Sequence, residues 1–166
     1  MLDQIKGLHH VTSMASAARR NNAFFTGTLG LRRVKTTENF DAPDVYHLCY
    51  ADEHGTPGTV MTYFPFPHIA PGRPGSGEVG TTAFSVPKGS LGFWEDRLGK
   101  AGVTGLARDE RFGESRLAFA GPDHEGFALV EVEGDERPAW IEGGVGEGEA
   151  IRGFHSVSLR LRDGAA

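Results

Sequence analysis

Gly7-Leu8-His9-His10-Val11-Thr12-Ser13-Met14 decides how this chain is read, because a weaker copy returns as Gly153-Phe154-His155-Ser156-Val157-Ser158-Leu159. An echo separated by enough chain to hold a compact domain marks a duplicated architecture rather than a solenoid. Superposing the copies pairs His9 with His155 and sets His10 against Ser156, so His10 is the histidine that the repeat alone leaves unexplained. Side chains alternate across a strand, which puts Leu8, His10 and Thr12 on one face and His9, Val11 and Ser13 on the other. One of the two histidines, not both, is then expected in any one pocket. A neutral imidazole suits zinc, iron or nickel. A hydrogen-bonded structural histidine is the competing reading.

Outward from that stretch, Leu8 to Ala15 reads as a strand, and Ser16 stands as an N-cap before Ala18, Asn22, Phe25 and Leu29 recur at helical spacing, with Gly30 as the stop. Arg32 to Thr37, Val45 to Tyr50 and Thr59 to Phe64 have the β-branched and aromatic density of strands, broken by turns at Asp41-Ala42-Pro43-Asp44 and Asp52 to Gly58. The order is β-α-β-β-β. Pro65 to Gly80 carries four prolines and four glycines without apolar periodicity and reads as an irregular connection. The order then repeats: a strand over Thr81 to Val86, a helix from Ser90 with Leu91, Trp94, Leu98 and Ala101 on one stripe, and strands over Val103 to Arg108, Ser115 to Ala120 and Phe127 to Val132.

This predicts an α+β fold of paired βαβββ modules at about 8–65 and 81–133, together forming a domain over 1–135. An acidic, glycine-rich linker follows over 136–152, anchored by Trp140, and 153–166 is the first strand of a third module cut short. Phe24, Phe25, Leu29, Phe93, Trp94 and Leu98 are the expected apolar contacts of the helices. Phe154, Val157 and Leu159 are expected to lack partners and to leave an edge that drives association into a homo-oligomer.

Composition bounds the chemistry. The 166 residues suit one domain, and a net charge of −5 offers no basic stripe for nucleic acid. No apolar run is long enough to cross a bilayer and no secretory leader opens the chain, which predicts no membrane partner and a cytoplasmic location. The lone Cys49 excludes a disulfide or a thiolate cluster within one chain and fits a small buried hydrophobe. Any metal would be held by nitrogen and oxygen.

Paired modules that open on a strand histidine resemble the vicinal oxygen chelate superfamily of glyoxalases, bleomycin-resistance proteins and dioxygenases. Gly7-Leu8-His9-His10-Val11-Thr12, Tyr46-His47-Leu48, Gly55-Thr56-Pro57-Gly58-Thr59-Val60-Met61-Thr62-Tyr63-Phe64-Pro65 and Arg111-Phe112-Gly113-Glu114-Ser115-Arg116 are similar to the ring-cleaving dioxygenases that open hydroquinones. The resemblance implies an Fe(II) oxidoreductase of aromatic degradation with four modules, acting on a small aromatic diol and dioxygen, with the metal held by two His and one Glu. It places the first ligand on His10 and makes His9 and Thr12 the neighbours that tune it. The remaining His and Glu belong to the family's last module, so this chain is expected to be the N-terminal part, lacking two ligands. Glu131 lies where simpler relatives place a carboxylate ligand, and a solvated strand glutamate is its other reading. His47, His54, His68 and His124 have no motif pointing them at a metal and read as loop or surface residues. Two other functions compete: a metal-free module that binds a small molecule, and a homodimeric glyoxalase-like enzyme.

Overall fold

The computed structural model describes residues 4–164; residues 1–3 and 165–166, which fall in the expected 1–135 and 153–166 segments, lie outside the described residues. The first module is β1 (His10–Ala15), α1 (Ala18–Asn22), a π-helical turn (Ala23–Thr28), β2 (Arg32–Asn39), β3 (Ala42–Ala51) and β4 (Val60–Pro65). The second is β5 (Glu78–Pro87), α2 (Leu91–Lys100), β6 (Ala107–Arg111), β7 (Glu114–Ala120) and β8 (Gly126–Val132), and β9 (Gly153–Arg160) follows. Each module has the expected β-α-β-β-β order and contributes one mixed sheet.

The first sheet runs β1-β4-β3-β2 and the second β6-β7-β8-β5-β9. In both, the opening strand lies parallel to the last strand of its module. Alternation then sorts the first sheet's two faces. Leu48, Tyr50, Met61 and Tyr63 turn inward onto the helices and are buried, while their neighbours Cys49, Thr62 and Phe64 turn the other way. A single apolar core takes in both modules: Phe25 stacks on Tyr50 at 4.9 Å between ring centroids, and Phe24 reaches Phe127 of the second module at 6.3 Å.

The helix expected from Ser16 to Leu29 is instead a short α-turn that widens. The Leu29 amide bonds the Phe24 carbonyl five residues back, and the adjacent Phe24 and Phe25 rings both enter the core. Ser16 is not its N-cap: Ala17 holds that position, and the Ser16 amide donates to Asp123 of the β7–β8 turn. Phe93 also departs from expectation, being 37% exposed and lying under the Arg97 guanidinium, while Trp94 and Leu98 are buried.

The third-module strand departs further. Phe154 is buried and stacks on Phe84 at 5.4 Å, because β9 pairs antiparallel with β5 and completes the second sheet. Leu159 alone of the three named residues is largely exposed. The glycine-rich segment before β9 is packed rather than loose. Val145, Ala150 and Ile151 join the core, the Trp94 indole N–H donates to the Glu149 carbonyl at 2.8 Å, and Trp140 lies under Arg32.

Candidate active site on the open face of the first sheet

The register of β1 on β4 pairs His10 with Val60, Thr12 with Thr62 and Met14 with Phe64. All six side chains fall on the face turned away from the helices. On β3, Cys49 and His47 continue that face beside Thr62 and Phe64. The result is an open surface with an apolar floor and a few polar groups.

His10 is exposed there, as alternation along β1 requires. His9, however, is not turned to the far side. It lies just before β1, and its Nδ1 sits 3.1 Å from the Nδ1 of His10, so the two rings meet edge to face. This corrects the expectation that only one of them could face a pocket: strict alternation holds within a strand, not at the irregular residue that enters it. One Nδ1 carries the proton of this bond, which engages Nδ1 of both rings and leaves Nε2 of His10 to point elsewhere. Thr12 is fixed as well, since the buried Thr62 hydroxyl donates to the Thr12 oxygen at 2.9 Å and leaves the Thr12 proton available.

His47 is the residue that motif reading missed. It lies on β3, half-buried, with its ring stacked on Phe64 at 4.4 Å, and its Nε2 is buried without a hydrogen-bond partner. Burial, then the nearby charges of Lys35 and His10, hold its pKa below the ordinary imidazole value, so the ring is neutral at pH 7. The signal was present in the order of β3 and β4, but no single-strand pattern says which strands become neighbours. Cys49 is buried beside it, and burial raises its thiol pKa. His54, His68 and His124 lie exposed in loops, as expected.

The specific Gly-Thr-Pro-Gly-Thr segment has a structural role. The Asp52 carboxylate accepts the amides of His54, Gly55 and Thr56 and so folds the loop. That delivers Gly58 to a crowded point where its amide donates to the His9 carbonyl at 2.8 Å and its carbonyl accepts from the Phe154 amide at 2.7 Å. Gly58 has φ +96°, which only glycine adopts readily.

Glu131 faces the helix side, and its carboxylate accepts the Gly89 and Leu91 amides at the start of α2. It acts as a cap from a neighbouring strand, with Oε1 accepting both amides. Among the described residues no three His, Cys, Asp or Glu side chains are grouped so as to hold a metal ion.

The corresponding face of the second sheet is closed. His155 bonds Glu114 at 3.1 Å, Arg116 pairs with Asp109, and Arg111 reaches Ser158 at 3.2 Å although β6 and β9 are opposite edges. That sheet is rolled, and its charges neutralise one another.

This geometry is the paired-module fold of the vicinal oxygen chelate type, and comparison with solved structures agrees on the fold. No family model matches the chain. A glyoxylase/bleomycin resistance protein/dioxygenase domain from Frankia sp. has the same fold, with a TM-score of 0.64 at 16% identity over 79% of this chain and 95% of that one. In sequence the chain is similar to ring-cleaving dioxygenases. It is 42% identical over 159 residues to the Bacillus subtilis protein named "Putative ring-cleaving dioxygenase MhqO", covering 96% of this chain and 51% of that protein. It is 37% identical over 163 residues to the chlorohydroquinone/hydroquinone 1,2-dioxygenase of Sphingobium indicum, covering 96% and 51%. A crystal structure described as a putative dioxygenase from Bacillus subtilis matches with a TM-score of 0.88 at 42% identity, covering 92% of this chain and 49% of that one. The chain spans about half the length of the curated relatives it matches. No helix among the described residues is long and apolar enough to cross a membrane.

Proposed function

We propose that this chain supplies one wall of the active site of a ring-cleaving dioxygenase for dihydroxylated aromatics of the hydroquinone or catechol class. The observation that carries the reading is the exposed His10, oriented by His9 and set beside the tethered Thr12 on an open face. Fe(II) is the metal proposed for the completed site, with dioxygen as co-substrate. The metal would bring the diol and oxygen together and pass charge between them. His10 would offer Nε2, His9 would hold the His10 ring and its tautomer, and Thr12 would donate its free proton to a phenolate oxygen. The other donors come from sequence outside this chain.

The test joins this chain to the part of the Sphingobium enzyme that it does not match and follows oxygen uptake with hydroquinone after anaerobic Fe(II) loading. Uptake that disappears in His10→Ala supports the reading; uptake equal in the His10→Ala protein contradicts it. A second reading, a metal-free binding module for small aromatics, is favoured by the lack of a three-donor group among the described residues. Calorimetric titration of the chain with hydroquinone in excess chelator separates the two, since only the binding module retains affinity there.

A further inference from the structure

His47 has no part in the chemistry proposed so far, and its two ring nitrogens lie in different surroundings. The residue is half-buried on β3, with its ring stacked on Phe64 at 25° between the planes, which fixes where each nitrogen points. Nε2 is buried without a hydrogen-bond partner, so Nδ1 is the nitrogen that reaches the open face. A neutral imidazole carries one N–H and one bare nitrogen. Of the two, a buried N–H without an acceptor is the rarer orphan, as it is among backbone groups, where unmet acceptors are tolerated more often than unmet donors. The proton therefore sits on Nδ1, and the bare Nε2 is the nitrogen left inside. Burial, then the charges of Lys35 and His10, keep the ring from taking a second proton at pH 7. His47 thus shows the open face an uncharged N–H.

That donor stands across the floor from His10. β4 runs between β1 and β3, so Val60, Thr62 and Phe64 separate His10 and Thr12 on one flank from His47 and Cys49 on the other. Two strand spacings put the flanks about 10 Å apart at the backbone. Over that gap the two imidazoles come near enough for the charge of His10 to bear on His47. A flat six-membered ring with oxygens at opposite ends suits such a span, one oxygen toward each histidine. Other donors beside His47 are poor. The Cys49 thiol is buried, and the Thr62 hydroxyl already donates to Thr12.

We propose that His47 is the specificity-determining residue of this site, its Nδ1–H donating to the ring oxygen that lies farthest from the metal. An aromatic with para oxygens makes this bond while its first oxygen stays on the His10 flank. A catechol, with adjacent oxygens, leaves the donor unmet. The role rests on the dioxygenase reading and adds to it which of the two diols the site prefers.

Two measurements test it, and neither uses oxygen uptake. In the isotopically labelled 166-residue chain, nitrogen NMR reads which ring nitrogen of His47 holds the proton at neutral pH. Nδ1 is expected, and a proton on Nε2 would overturn the inference whatever becomes of the dioxygenase reading. The second measurement takes the chain joined to the unmatched part of the Sphingobium enzyme, loaded with Fe(II) and kept under nitrogen. Calorimetric titration compares hydroquinone with 4-methylphenol, in which a methyl group replaces the far hydroxyl. Hydroquinone should bind about tenfold more tightly, the effect of one hydrogen bond. His47→Leu should bring the two ligands within about twofold by weakening hydroquinone alone. His47→Asn, whose amide N–H stands near the place of Nδ1, should restore the preference, and His47→Gln, whose N–H stands nearer Nε2, should not. A preference unchanged in His47→Leu, restored by Gln and not by Asn, or missing from the unaltered protein overturns the inference, as does no binding of hydroquinone. Where a variant unfolds, the tautomer and the unaltered protein's preference decide. Binding with this preference but without oxygen uptake would sink the dioxygenase reading and leave the role of His47 standing.

Discussion

His10 is exposed and its one side-chain bond is to His9, so its role and its contribution to stability separate cleanly. His10→Ala should change unfolding free energy by no more than about 0.5 kcal/mol, the ordinary effect of a surface substitution, as read by urea denaturation. Thr12→Val differs, because it leaves the buried Thr62 hydroxyl without its acceptor; about 1 kcal/mol should be lost. His47 carries a pH dependence. Its folded pKa lies below that of the unfolded chain, so above the ordinary imidazole pKa it adds no penalty. As pH falls below that value, the unfolded chain takes up a proton that the folded chain resists, and stability declines until the folded pKa is reached. His47→Leu should flatten the melting temperature against pH in that window; an unchanged profile would assign the dependence to another group. His10 was legible in sequence because the repeat left it unpaired, whereas His47 became legible only once β3 lay beside β4.

At the scale of elements, α2 depends on a carboxylate from another strand. Ser90 stands at its N-cap position but makes no side-chain cap bond, and Glu131 receives the amides of Gly89 and Leu91. Glu131→Ala should therefore cost about 1 kcal/mol, as the loss of a cap does, and should leave metal binding by any completed protein unchanged. Loss of iron in that variant would restore Glu131 as a ligand. The strands and their order could be read from β-branched density and glycine punctuation. The burial of Phe24 and Phe25 could be read too, but not the widened turn over Ala23–Thr28, which an i→i−4 apolar pattern does not announce.

For the whole molecule, the glycine-rich segment that looked like a free linker closes the core. Its composition concealed this, because Gly143 serves close approach rather than flexibility. A Cβ on Gly143 would overlap the Gly30 backbone, so Gly143→Ala should lower stability by roughly 1–3 kcal/mol, read by thermal unfolding. Two sheets share that one core yet differ in their outer faces: the second is filled by its own ion pairs, and the first holds an open, oriented histidine. His10 is proposed as one donor of a metal site finished from outside this chain. Iron retained after anaerobic Fe(II) loading and gel filtration tests it most directly, on the chain alone and on the chain joined to the unmatched part of the Sphingobium enzyme. No retained iron is expected on the chain alone, stoichiometric iron on the joined protein, and loss of that iron in its His10→Ala variant. Stoichiometric iron on the chain alone, or on the joined His10→Ala protein, would contradict it.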